Sequence, residues 1–478
     1  MLRKCLYLLI PLAILLVWFG ITLFSVFRDQ IGDGTGITIA PDTTFVTEPL
    51  TQNGCVDYIG ALNELASSGV TPENNAAVIY ARAVGPIVYD RHISKSFYRL
   101  IGLEELPVDG DYFRPSNTLK AMQPEAVGFV EDGASDQSPE EIFQRCMQQP
   151  WNAQDVPWLA DWLERNQKPL QLVIEGTKRE EYFWPLYPAE PDSQDSSGEL
   201  ISIELPGAQI SRDVARALTC RAMLATAEKR YEDAWSDLMA THRLARHVGN
   251  GHTLVEALVG YALHNMACQG QLAFFYHARP THDQAALYQR SLRQLGPLPD
   301  VSAIVNTGER YMFLDSVCGL AQGKTDGSMD GAPSALSRSL TSGFIEWDSV
   351  LQMGNQWYDR FHDAMNEENR AVRMRKLEAV ENDLENLASQ QSPIKTSFSL
   401  LTRDGRTRQI GIIMVSLFCP SISAAQGAED TAVQSMRNTQ IALALAAFHR
   451  EHNQYPRSLD QLVPEFLDVV PDDVFSSQ

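Results

Sequence analysis

Three imidazoles, His242, His247 and His252, crowd a short stretch of this sequence, and such a cluster can hold a metal or move protons. Their steps of five residues put them on different faces of a helix. The two histidines of an HExxH zinc pair are four apart on one face, so no metal site is expected here. His449 and His452 flank Glu451 at a spacing that can hold a cation, but a polar helix end before Asn453 accounts for them equally well. Residues 319–325, GLAQGKT, are one residue short of a phosphate loop and follow a helical rather than a strand pattern. Asp326, Ser328, Asp330 and Gly331 imitate the start of a calcium loop, yet Ser337 stands where the bidentate Glu is needed. Glu309, Arg310 and Asp315 interrupt an apolar helical stretch and read as a structural ion network. With no GxSxG elbow and no papain-like cysteine context, no catalytic residue is singled out, no metal or cofactor is expected, and the reading leans away from an enzyme.

The elements that would position any such group follow from composition and periodicity. The chain has 478 residues, 44% hydrophobic and 21% charged, which is enough to bury a substantial core. Its 60 acidic against 39 basic residues give a formal charge of -21, which repels phosphate backbones and makes nucleic acid an unsuitable partner. Cys5, Cys55, Cys146, Cys220, Cys268, Cys318 and Cys419 contain no CxxC pair and read as small core residues, with any pairing in an oxidising compartment left open.

Residues 5–27, CLYLLIPLAILLVWFGITLFSVF, carry no charge between Lys4 and Arg28. As a helix this run is about 34 Å long, more than the hydrocarbon core of a bilayer. Arg3 and Lys4 precede it, so the expectation is a single-pass anchor with a cytoplasmic N-terminus and an extracytoplasmic (periplasmic) main domain. The alternative is a cleaved signal peptide, whose apolar region is shorter, about 7 to 15 residues, and ends in a small-x-small site.

Beyond the cytoplasmic tip and anchor (1–28), residues 29–50 read as a flexible spacer, rich in Gly, Thr, Pro and Asp. A helical region is expected over 51–187, a polar linker over 188–198, a main helical region over 199–400 and a distinct C-terminal element over 401–478. Apolar spacing predicts helices over 55–66 and 75–84, and over 155–163 with Asp155 as cap and Trp158 and Trp162 on one face. Tyr182, Phe183, Trp184 and Tyr187 read as core aromatics, and the alternation over 199–205 as a short strand. Ser211 is expected to cap a helix reaching 229. Further helices follow over 231–248, 253–277, from a Thr281/Gln284 capping box to Gly296, over 301–322 and over 347–387, the last presenting Leu377, Val380, Leu384 and Leu387 as one stripe. The fold class is therefore mainly α, an N-terminal transmembrane helix followed by antiparallel hairpins with few short strands.

Residues 218–248, LTCRAMLATAEKRYEDAWSDLMATHRLARHV, resemble one tetratricopeptide-type (TPR-like) hairpin, with Tyr231 to Trp235 at the start of its second helix. Residues 441–475 resemble the helix end and following loop of type II secretion major pseudopilins, through Tyr455, Pro456, Leu459, Leu462, Val463, Pro464, Leu467, Pro471 and Asp473, with Val474 in place of the usual proline. Taken together, the anchor, the helical block containing HRLARHVGNG and the C-terminal element resemble a family of membrane-anchored bacterial proteins in which these parts recur. That resemblance implies an architecture and no activity. The function expected is a membrane-tethered extracytoplasmic scaffold or interaction module whose partners are other envelope proteins. The alternatives are an envelope hydrolase with a site assembled from distant residues and a component of a pilin-like or secretion assembly.

Overall fold

The computed structural model describes residues 36–89, 91–119, 138–187, 200–322, 345–389, 402–419 and 422–476. The expected anchor over 5–27, the linker over 188–198 and the loop residues 323–337 lie outside the described residues. The fold is mainly α.

Helix α1 (Tyr58–Ser67) leads to α2 (Ala76–Val84), whose first turn is capped by the Asn75 side chain accepting from Ala77 N. The short strands β1 (Ile87–Val88) and β2 (Arg91–His92) pair antiparallel, Ile87 opposite His92. Helices α3 (Lys95–Leu100), α4 (Pro139–Gln148), α5 (Pro157–Arg165) and α6 (Gln167–Gly176) follow. Three long helices come next, α7 (Pro206–Ala227), α8 (Tyr231–Gly249) and α9 (Leu254–Ala278), then α10 (His282–Arg293). A single turn at Val301–Ile304 and a π-helical turn at Val305–Glu309 precede α11 (Arg310–Ala321). The C-terminal third holds α12 (Trp347–Met365), α13 (Arg370–Ser389), α14 (Arg403–Phe418) and α15 (Ile422–His452).

Several boundaries differ from expectation for local reasons. Val156 rather than Asp155 is the N-cap of α5, because Pro157 supplies the first helical φ. Pro206 likewise opens α7 five residues ahead of Ser211, which becomes an interior residue donating to Gly207 O at 2.7 Å. Residues 200–202 form a 3-10 turn instead of a strand, and the Leu200 N–H is taken by Asp315 Oδ2 at 2.9 Å rather than by a neighbouring strand. The helix expected over 301–322 is interrupted by the π turn, and that over 347–387 is broken where Asn369 Oδ1 accepts from Val372 N and restarts the chain as α13. The Thr281/Gln284 capping box forms as the residues dictate.

The chain divides into two compact units, each drawn from three stretches: 1–64, 188–203 and 305–423 in the first, 65–187, 204–304 and 424–478 in the second. In the second unit α7, α8 and α9 pack against one another, α4 lies on α7, and α2 lies on α6. The crossing of α8 and α9 is a backbone-to-backbone approach: a Cβ on Gly260 would lie 2.6 Å from Ala245 O and 2.6 Å from Gly249 Cα, so only glycine fits. Fully buried Trp162, Leu218, Met223, Leu238, Leu263 and Phe274 fill the core between these helices. Leu443, Ala444, Ala447 and Phe448 of α15, with Leu462, Phe466 and Leu467 after it, belong to the same core, and Gln289 of α10 donates to Gln440 O at 3.0 Å. Residues 443–467 are thus packed into the second unit, whereas α14, at the start of the expected C-terminal element over 401–478, belongs to the first.

In the first unit α12 packs on α11 and α14, with α13 along α12 and α14. Gly354 of α12 lies where any Cβ would overlap the Phe313 ring of α11, which lets the two helices close up. Among the described residues the segment Arg403–His452, which holds α14 and α15, is long and apolar enough to cross a membrane by length and composition, and half of its most apolar window is buried within the protein.

Candidate binding cleft and buried histidine cluster

A cleft of about 390 Å³ lies on the second unit, walled by α5, α6, α7 and α8. Its floor is a bidentate ion pair: Arg221 Nε and Nη2 donate to Asp237 Oδ2 and Oδ1 at 2.9 and 2.7 Å, and the Asp237 side chain is almost fully buried. Burial pushes the Asp237 carboxyl above the usual carboxylate range, and Arg221 pulls it back. At the rim Arg230 binds Asp233 at 2.6 Å, while Glu164, Gln167 and Gln171 are exposed on the opposite wall. Leu163, Ile174 and Leu224 give the cleft apolar patches between these polar groups. No histidine or cysteine lines it. It can therefore hold a partner by hydrogen bonds and apolar contact.

The chemistry-bearing residues gather instead inside the same unit. His242 of α8 and His264 of α9 are both fully buried, with Nδ1 facing Nδ1 at 3.2 Å and the rings tilted by 57°. His242 Nε2 lies 2.9 Å from Gln271 Oε1, and Gln271 is fully buried. His264 Nε2 lies 3.2 Å from Ala432 O and 3.5 Å from Cys268 Sγ. Arg246 donates from Nη1 to His242 O at 3.1 Å, reaches His264 Nδ1 at 3.4 Å, and bonds Gly296 O through Nε at 2.6 Å. Burial holds His242 down to about 3 and His264 well below the ordinary imidazole range, with the Arg246 charge acting the same way. Burial pushes the Cys268 thiol up to about 11, against a hydrogen bond with Thr439.

Of the sequence candidates, His247 and His252 do not join His242. His247 stacks on Tyr182 with centroids 5.4 Å apart, and Nε2 lies 3.3 Å from Thr177 O. His252 is buried at the start of α9, where its N–H donates to Glu256 Oε2 at 2.8 Å. His452 stacks on Phe448 and His449 lies against Tyr455, so the two do not share a ligand position. Glu451 instead groups with His282 and Glu465 on the exposed surface. Arg310 pairs with Asp359 at 2.7 Å rather than with Asp315. Trp162 is fully buried and donates from Nε1 to Arg114 O, whereas Trp158 is only partly buried. Phe183 and Trp184 are buried.

His264, Cys268 and Gln271 were not among the sequence candidates. A signal was present: His264 and Cys268 are four apart and Gln271 three further on, one polar stripe on an otherwise apolar helix. Comparison with known protein families, curated proteins and solved structures finds no match to the chain.

Proposed function

We propose that this protein is a membrane-tethered helical interaction module, whose second unit binds a partner in the cleft between α5–α6 and α7–α8. The observation that carries the reading is the cleft: about 390 Å³, with charged rims, apolar patches and a floor fixed by the Arg221–Asp237 pair. Such a surface suits a polypeptide segment, which offers side chains to the apolar patches and polar groups to the rim. The α7–α8 hairpin, joined by residues 228–230, supports a TPR-like reading, because repeats of that kind present concave helical surfaces. The uncharged run over 5–27 supports the tether. The packing of Phe448, Leu462 and Phe466 into their own core weighs against a pilin-like assembly role, in which that segment would face other subunits.

The test uses the full chain in its own membranes, with a photo-crosslinking residue placed at Gln171 in the cleft or at exposed Tyr276 on α9. A discrete adduct from Gln171, absent from Tyr276 and weakened by Glu164→Lys at the rim, is the expected result. Equal labelling from both positions, or none from Gln171, overturns the cleft as the binding surface. Recovery of the protein in the soluble fraction with residues 5–27 removed overturns the tether.

A further inference from the structure

We propose that His242, His264 and Cys268 form a buried site for one d10 cation, zinc(II) or copper(I), which ties α8 to α9. One donor atom from each of the three lies within 4.8 Å of the others, and all three residues are buried. His242 Nε2 faces Gln271 Oε1 at 2.9 Å, and His264 Nε2 faces Ala432 O at 3.2 Å with Cys268 Sγ beside it at 3.5 Å. With the hydrogen on each Nε2, the tautomer a metal selects, each Nδ1 carries a lone pair. The two lone pairs then face each other across 3.2 Å, with Arg246 Nη1 3.4 Å from that of His264, and a cation shared between the rings satisfies both.

The same facts are those of a metal site. A liganding imidazole characteristically donates its other N–H to a carbonyl or carboxylate, which fixes the tautomer, and here both rings do so. Zinc–nitrogen bonds of about 2.0–2.1 Å in a tetrahedron place two nitrogens about 3.3 Å apart, close to the observed separation. His264 and Cys268 stand four apart on one face of α9, the spacing that lets one helix offer two ligands. Closing all three donors on a common ion turns the Cys268 thiol from His264 Nε2, 3.5 Å away, toward the paired Nδ1 atoms, with loss of its proton to solvent. Two nitrogens and a thiolate select zinc(II) or copper(I); calcium and magnesium require oxygen ligands. Arg246, partly exposed, now points Nη1 at His264 Nδ1 and must swing outward as the ion enters.

Without a cation the network closes through protons alone: Cys268 S–H donates to His264 Nε2, His264 Nδ1–H to His242 Nδ1 and His242 Nε2–H to Gln271 Oε1, or the Gln271 carboxamide turns over and the direction reverses. Metal analysis separates the two states. The full chain, purified without chelator and then incubated with zinc(II) or with copper(I) under reductant, is expected to hold about one equivalent. Exchange with cobalt(II) is expected to give a thiolate-to-cobalt charge-transfer band that Cys268→Ala removes. X-ray absorption on the unmutated protein is expected to show one sulfur near 2.3 Å with two nitrogens near about 2.0–2.1 Å, and does not depend on any variant folding. Arg246→Gln, which removes a competing positive charge, is expected to tighten binding by about tenfold or more. Less than a tenth of an equivalent of either ion, or a coordination shell without sulfur, as exposed His282, Glu451 and Glu465 would give, overturns the proposal.

Discussion

The two units bury polar groups in opposite ways. In the second, the interior holds His242, His264 and Gln271 together, with His252 and Glu256 buried at the start of α9, and the imidazoles are kept neutral by their surroundings. In the first, the interior holds a guanidinium: Arg310 is 1% exposed, its Cζ lies 4.2 Å over the Phe45 ring, and its partner Asp359 is largely in water. A neutral ring is cheap to bury at neutral pH and costly in acid, whereas a guanidinium keeps its charge at every accessible pH and depends on the groups around it. The second unit should therefore sense pH, and the first should sense truncation of one side chain.

The largest effect expected is at Arg310. Arg310→Ala removes the contact with Phe45 and the bond to Asp359 and leaves a void, for a cost of about 3–5 kcal/mol. Arg310→Met keeps the volume and removes the charge together with an Nε that finds no hydrogen-bond partner among the described residues, so it should cost little or stabilise. Hydrogen exchange followed on peptides of α11 and α12, against those of α8 and α9, reads the difference. Equal loss in the two variants would mean that charge, not packing, is what Arg310 supplies.

Acid should act chiefly on the second unit. His247 and His252 are both held down to about 4 by burial, against about 6.5 in an unfolded chain. Their contribution is complete above pH 6.5 and is lost as pH falls through 6.5 towards 4, by about 3 kcal/mol for each ring at the limit. Glu256 runs the other way. Burial raises its carboxyl to about 7 against the hydrogen bonds from Thr253 and His252, so its contribution is present below about 4.5 and lost as pH rises to about 7. Glu256→Gln should raise stability at pH 7.5 by about 2–3 kcal/mol and steepen the loss on acidification. Urea unfolding from pH 7.5 to 4.5 measures both, and an unchanged slope in the variant would show that Glu256 stays ionised on its three donors.

How much of this was legible follows the range of the interaction. Helix types and the Thr281/Gln284 box depend on neighbours three or four residues away, and these were read correctly from the residues. Proline outranked serine and aspartate at two helix starts because Pro206 and Pro157 fix φ where a side-chain cap only adds a bond. The short strand over 199–205 failed because a strand is made by its partner, and Asp315, more than a hundred residues away, takes the Leu200 N–H. The histidine cluster combines residues 242, 264, 268, 271 and 432, so only its stripe on α9 was visible locally. Each unit is drawn from three separated stretches, a grouping set by contacts far apart in sequence.

A smaller test lies at the α8–α9 crossing. Gly260→Ala places a methyl against Ala245 O and Gly249, which are backbone and cannot rotate away, so α9 must move outward. The cost expected is about 1–3 kcal/mol, and His264 stands one turn further along the same helix. A lengthened His242–His264 contact in a crystal structure of the variant would tie the glycine to the cluster. An unshifted pair would show that α9 bends locally instead.

The smallest effect compares helix caps in the two units. In the second unit, Thr281 Oγ1 accepts from Gln284 N at 3.3 Å while Gln284 Oε1 accepts from Thr281 N at 2.9 Å, a reciprocal pair. In the first, Thr402 Oγ1 accepts from Gly405 N at 3.1 Å, but the glycine has no side chain to return the bond. Thr281→Ala should therefore cost about 1 kcal/mol, since it removes the hydroxyl acceptor and loosens the returning glutamine. Thr402→Ala should cost somewhat less, about 0.5 kcal/mol. Exchange rates of the first-turn amides of α10 and α14 read the two directly. A larger loss at Thr402 than at Thr281 would mean that the returned bond contributes nothing and that the threonine hydroxyl alone sets the strength of each cap.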